Sequence, residues 1–182
     1  MAGLQDLYKE IIMDHYRNPR NRGELPPPAC KAEGFNPLCG DEIVLYVDID
    51  EHGVITDIAT GGQGCSISQS SASMMSSAVK GKTVTEAREL TETFKDMMGI
   101  NAGAEDDADD DADAIAAAKA AAGSSDAGAV AGAAEKPDLS LGDLSALRGV
   151  VKFPVRIKCA VLSWNTLIEA LNDADQRASA AD

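Results

Sequence analysis

The sequence predicts an α+β fold, a small antiparallel sheet covered by helices. Residues 42–49 alternate, with Ile43, Leu45, Val47 and Ile49 on one face and Val44, Tyr46 and Asp48 on the other. The turn Asp50-Glu51-His52-Gly53 then returns the chain as a second strand from Val54 to Thr60, which makes a hairpin. Elsewhere apolar residues recur at helical spacing, as Leu4, Leu7, Tyr8, Ile11, Ile12 and His15 do over residues 4–16.

The elements follow in order. Asn18-Pro19-Arg20-Asn21-Arg22-Gly23 ends the first helix, because proline disfavours helix in the residue before it. Pro26-Pro27-Pro28 imposes an extended path up to the hairpin. Gly61-Gly62-Gln63-Gly64 delivers the chain to a helix over residues 65–80, which Gly81 closes. Thr83 or Thr85 caps a further helix through about Met98. Leu139 to Leu147 is a short helix. A last helix, from about Arg156 to Leu171, carries Ile157, Val161, Trp164, Leu167 and Ile168 on one side. The small, polar tail from Asp173 is expected to fray.

A chain of 182 residues suits one domain, 1–182. Aromatic residues are only 4%, so Ile, Val, Leu and Met must build the core. Residues 101–136 differ in kind: sixteen alanines, an aspartate block and almost nothing able to anchor a core. This insert is expected to be a disordered, solvated surface loop without chemistry of its own. Its nine acidic residues against Lys119 and Lys136 account for half of the net charge of −14. So acidic a chain repels phosphate backbones and anionic lipid, which disfavours nucleic acid and membrane as partners. The N-terminus has no secretory pattern and no stretch is long and apolar enough for a membrane helix, so a cytoplasmic setting is expected. There, four cysteines point to metal or thiol chemistry rather than disulfides.

Three of those cysteines sit in turn or helix-start contexts. Cys39 lies in Asn36-Pro37-Leu38-Cys39-Gly40-Asp41, where Gly40 allows the bend that brings Asp41 to the same site. Cys65 follows the glycine loop at a helix start, where backbone N–H groups favour thiolate. Cys159 falls in the first turn of the last helix, three residues after Arg156 and so on its side. Three thiolates and one carboxylate complete a tetrahedral zinc shell. The cysteines are separated by 26 and then 94 positions, so context rather than a knuckle spacing carries the assignment.

These same stretches carry a resemblance. Asn36 to Asp41, Gly64-Cys65-Ser66-Ile67-Ser68-Gln69-Ser70-Ser71 and Arg156 to Trp164 look like signatures of the SufU proteins, within the IscU/NifU-N-like superfamily. The likeness covers roughly residues 4–98 and 138–172 and excludes the acidic insert. It implies the SufU/IscU fold and zinc held by Cys39, Asp41, Cys65 and Cys159. It also implies that Cys39 accepts persulfide sulfur from a SufS-type cysteine desulfurase and supplies the iron–sulfur cluster assembly machinery. A coordinated thiolate is a muted nucleophile, so transfer needs Cys39 released, and Arg156 is expected to hold Asp41 or Cys39 meanwhile.

One rival is an IscU-type scaffold assembling a [2Fe–2S] cluster on the same residues, since cysteines suit iron as well. Scaffolds of that type carry histidine before the last cysteine, whereas Lys158 stands here. A second rival is a non-catalytic protein with a structural zinc that docks to a partner. Plainer readings hold elsewhere. Cys30 is an incidental thiol, His15 packs or bonds at the edge of the first helix, and His52 is solvated in a turn. Ser66, Ser68, Ser70, Ser71 and Ser73 make a small-residue helix face for close packing.

Overall fold

The computed structural model describes residues 3–100 and 141–180. The insert therefore lies outside the described residues. The first helix, α1, runs Leu4–Arg17 and stops at Asn18, before Pro19. Its buried end is pinned by His15, whose Nδ1 lies 2.8 Å from Ser73 Oγ and whose Nε2 lies 3.1 Å from Asp143 Oδ2. Leu7, placed by spacing on the inner face, is instead half exposed.

Three strands form one antiparallel sheet in the order β1 (Cys30–Asn36), β2 (Asp41–Ile49), β3 (Ile55–Gln63). The β2–β3 hairpin is the one the alternation predicts, with Ile43, Leu45 and Val47 buried on the core face. Strand β1 adds to it, pairing from Cys30 opposite Val47 to Asn36 opposite Asp41. Residues 37–40 close that second hairpin, and Gly40 N–H donates to Asn36 O at 2.8 Å.

Helix α2 (Ser66–Val79) packs on β3, and α3 (Val84–Met97) follows. The serine face of α2 is buried as expected: Ser71 Oγ donates to Ala160 O at 2.6 Å and accepts from Trp164 Nε1 at 3.2 Å. Thr83 caps α3 in a box with Glu86, whose side chain accepts the Thr83 N–H at 2.8 Å.

Instead of a short helix over 139–147, a run of 3-10 turns spans Gly142–Lys152. The last helix, α4, runs Pro154–Ala180 and crosses β1 and β2. Proline at its first position loses no bond, since that N–H would be orphaned. The tail from Asp173 does not fray but stays helical to Ala180. Arg88 of α3 explains this: its Nη2 donates to Asn172 Oδ1 and Asp175 Oδ2, both at 2.9 Å. The sheet, α2, α3, the 3-10 turns and α4 share one buried core, in which Trp164 stacks on Phe94 with ring centroids 4.5 Å apart.

One close approach sets where α4 lies. A Cβ on Gly34 of β1 would overlap Thr166 Oγ1 of α4, so only glycine admits the helix at this depth. Cys159, two turns earlier on α4, is thereby carried over the end of β1 where Asn36 stands.

Candidate metal centre

Four elements deliver the site. The loop between β1 and β2 holds Cys39 at its tip, exposed, with Gly40 at φ +67° supplying the left-handed step. Asp41 opens β2 and is fully buried. Cys65 caps α2, and its sulfur accepts the Ser68 N–H at 3.5 Å. Cys159 faces inward from α4 and is fully buried, in the second turn rather than the first.

The side chains converge. Ligand atoms of Cys39, Asp41 and Cys159 lie within 4.8 Å of one another. The Cys159 thiol donates to Cys39 Sγ at 3.2 Å, and Cys65 joins through Asp41, its sulfur 3.6 Å from Oδ2. Asp41 is oriented by Cys65 itself, whose N–H donates to Oδ1 at 2.7 Å. Gly64 is required beside this bond, because a Cβ there would lie 2.6 Å from both Asp41 Oδ1 and Ser68 Oγ.

Burial pushes the Cys159 thiol well above the usual cysteine range, helped by hydrogen bonding with Cys39 and Asp41 and by the negative charge of Cys65 and Asp41. Metal binding through Cys159 therefore requires that its thiol proton be displaced. The donor set, three sulfurs and a buried carboxylate, fits zinc, whose preferred ligands are thiolates with nitrogen or oxygen completing four.

The remaining predicted residue is placed differently. Arg156 sits one turn before Cys159 with its side chain exposed, and it makes no side-chain hydrogen bond or ion pair among the described residues. The geometry does not bring it to Asp41 or Cys39. Cys30 is buried at the far end of β1 and away from the cluster. His52 is exposed in its turn. Asn36, to which the sequence pattern assigns no role, also reaches the cluster. It is buried, its Oδ1 accepts the Leu38 N–H at 3.1 Å, and its Nδ2 donates to Cys159 Sγ at 3.8 Å. An asparagine two residues before the turn backbone it caps is the signal that could have found it.

Fold and site together define a small α+β protein whose sheet edge and two helices converge thiols and a carboxylate on one centre. Residues 7–129 match the family model described as the NifU-like N terminal domain, and the chain belongs to that family. It is 41% identical over 166 residues to the zinc-dependent sulfurtransferase SufU of Bacillus subtilis strain 168, covering 91% of this chain and 90% of that protein. It is 36% identical to the iron–sulfur cluster assembly scaffold protein IscU of Streptococcus pyogenes serotype M1, covering 94% of this chain and 86% of that one. Among solved structures, a candidate iron–sulfur cluster assembly scaffold protein for the SUF system from Fervidobacterium islandicum AW-1 superposes with TM-score 0.67. That match is 29% identical and covers 93% of this chain and 99% of that one. The resemblance to the SufU proteins and the α+β fold are thus borne out. No helix among the described residues is long and apolar enough to cross a membrane.

Proposed function

We propose that this chain is a zinc-dependent sulfurtransferase of iron–sulfur cluster assembly, with Cys39 accepting sulfur from a SufS-type cysteine desulfurase. The observation that carries the reading is an asymmetry within one cluster: Cys39 is exposed on a loop tip while Asp41 and Cys159 are fully buried. Cys39, Asp41, Cys65 and Cys159 would hold the zinc, which when bound keeps the sulfurs as thiolates at neutral pH.

The chain's own residues do the rest. Asp41 is held for its task by the Cys65 N–H, and Cys65 by the Ser68 N–H. Cys39 presents its sulfur to the incoming persulfide. Its thiolate attacks the outer sulfur, a new S–S bond forms at Cys39, and the donor's S–S bond breaks, its electron pair staying on the donor thiolate. The exchange is redox-neutral and needs no further reactant. Exposed Leu38 and Val155 flank the site, the Val155 carbonyl lying 3.9 Å from Cys159 Sγ. The stretch from Leu144 to Ile168 carries Arg148, Lys152, Arg156 and Lys158 and no acidic residue, a basic run in an acidic chain, and exposed Arg156 within it stands one turn before Cys159. An apolar rim with basic residues suits a partner face of acidic character.

The scaffold reading, with [2Fe–2S] on the same residues, is favoured by the similarity to proteins named IscU. Metal analysis and a sulfur-transfer assay separate the two. Chain purified without added metal is incubated with a SufS-type desulfurase and cysteine, and peptide mass spectrometry locates persulfide. Zinc at about one per chain, stimulated turnover and persulfide on Cys39 are expected. Iron with a cluster chromophore and no stimulation would support the scaffold. Zinc with neither stimulation nor persulfide would leave a structural site.

A further inference from the structure

Cys65 sits at a corner where β3 ends, the chain passes through Gly64 and α2 begins. One arginine from elsewhere in the sequence grips both arms of that corner. Residues 21–23 run along the edge of β3, where the Thr60 N–H donates to Asn21 O at 2.8 Å and the Gly23 N–H donates to Thr60 O at 3.0 Å. This pairing fixes the backbone of Arg22 beside Thr60. From there its guanidinium spans the corner. Nη2 donates to the Gly62 carbonyl, before Cys65 in the chain, and Nη1 donates at 2.6 Å to Oε1 of Gln69, after it.

Both contacts have a physical claim on an arginine. Gln69 is only 7% exposed, and among the described residues no other donor meets its amide oxygen. The amide orientation is dictated, because its nitrogen turned toward Arg22 would set donor against donor. Without Arg22, Oε1 would be a buried acceptor with no partner, which costs more than an ordinary hydrogen bond gains. A planar guanidinium offers two N–H groups in fixed directions, where an ammonium is a point charge. The Gln69 N–H donates to Cys65 O at 3.1 Å, so the side chain that Arg22 holds belongs to the turn that Cys65 caps. The Cys65 N–H in turn aims Asp41 Oδ1 at 2.7 Å. The run of contacts therefore passes from Arg22 through Gly62 and Gln69 to Cys65 and Asp41. The Cys39 loop is closed separately, by the Gly40–Asn36 bond.

We propose that Arg22 is a positioning residue for the metal centre, holding Cys65 and Asp41 in place by clamping the corner that carries them. The inference deepens the zinc reading given above and rests on it. Cys65 and Asp41 are thereby the preorganised members of the set, and exposed Cys39 is the one free to move.

The test uses zinc-loaded chain and a chromogenic chelator that competes for the metal. Arg22 is exposed, so truncating it opens no cavity in the core and Arg22→Met should fold. Its zinc affinity is expected to fall about tenfold, the lower end of the loss from mutating groups that support ligands. Arg22→Lys, which cannot hold both acceptors as a fork, should fall between Arg22→Met and wild type. Gln69→Met should also lose affinity, and the double variant should lose no more than Arg22→Met alone, because both changes undo one clamp. Hydrogen exchange of the Cys65 amide in the same loaded chains should quicken about fivefold in Arg22→Met, the equivalent of one ordinary hydrogen bond. Arg88→Met, which frees Asn172 and Asp175 of α4, should lower the melting temperature and leave both readouts unchanged. Unchanged affinity in Arg22→Met would overturn the proposal, as would an equal loss in Arg88→Met or losses that add in full in the double variant. Lower affinity with unchanged Cys65 exchange would overturn it too, since Arg22 would then act by another route. Wild type that takes up no zinc would instead sink the zinc reading, and this proposal with it.

Discussion

The backbone N–H of Cys65 donates to Asp41 Oδ1 at 2.7 Å, so one of the candidate metal ligands is aimed by another. The bond crosses from the start of β2 to the cap of α2, and it turns two separate ligands into one rigid unit. The carboxylate is fully buried, and its remaining oxygen, Oδ2, lies toward the Cys65 sulfur at 3.6 Å.

Replacing Asp41 by asparagine separates the two duties. The amide oxygen can still accept the Cys65 N–H, so the metal-free variant should melt close to wild type. Removing the charge should lower zinc affinity about tenfold or more, a loss at least as large as that from mutating groups that merely support ligands. Competition with a chromogenic chelator measures it. Unchanged affinity would remove Asp41 from the ligand set.

Gly64→Ala attacks the same bond from outside. The new Cβ would lie 2.6 Å from Asp41 Oδ1, so the carboxylate or the glycine loop must shift. Overpacking of this kind destabilises by about 1–3 kcal/mol. The melting temperature and the zinc affinity should both fall, whereas a drop in the first alone would show that the Asp41–Cys65 unit tolerates the shift.

Gly34→Ala tests the crossing of α4 over β1. The added methyl meets Thr166 Oγ1 and comes within 3.3 Å of Leu162 Cδ1, so the helix must lift. A loss of about 1–3 kcal/mol in urea unfolding is expected. Truncating Thr166 to alanine in the same chain should recover part of it, and failure to do so would place the strain elsewhere.

Zinc uptake should release protons. The Cys159 thiol is pushed up by burial, then by hydrogen bonding with Cys39 and Asp41, so it stays protonated in the metal-free protein at neutral pH. Because the thiolate is the ligand, apparent affinity should rise with pH across pH ~6 to ~8. Calorimetry in buffers of different ionisation enthalpy reads the proton count directly. A pH-independent affinity would show that the site does not bind through Cys159 as thiolate.

Much of this was legible in the sequence, for reasons that differ by element. The β2–β3 hairpin announces itself because Ile43, Leu45 and Val47 are β-branched or bulky and alternate with half-exposed residues. Strand β1 does not, because Lys31, Glu33 and Gly34 carry little strand preference, and it is recruited by pairing with β2. The length of α4 escaped for a similar reason: its tail has no apolar stripe and is held by Arg88, distant in sequence. At the site, cysteines and a nearby carboxylate form a readable pattern, whereas a neutral amide such as Asn36 belongs to no ligand motif. Its contact with the cluster emerges only when α4 brings Cys159 to it. Arg156 shows the converse, since helical spacing put it beside Cys159 yet its side chain points to solvent.

The loop of residues 37–40 is short, is closed by the Gly40–Asn36 bond, and carries Cys39 outside the buried core. Displacing it breaks a handful of local bonds and uncovers almost none of the apolar interior. If Cys39 is the sulfur acceptor, the work of moving it is set locally, well below the free energy of global unfolding. Substitutions in this loop can retune the speed of exchange while leaving thermal endurance untouched, and core substitutions can do the reverse. Delivery and durability are separately adjustable in this molecule.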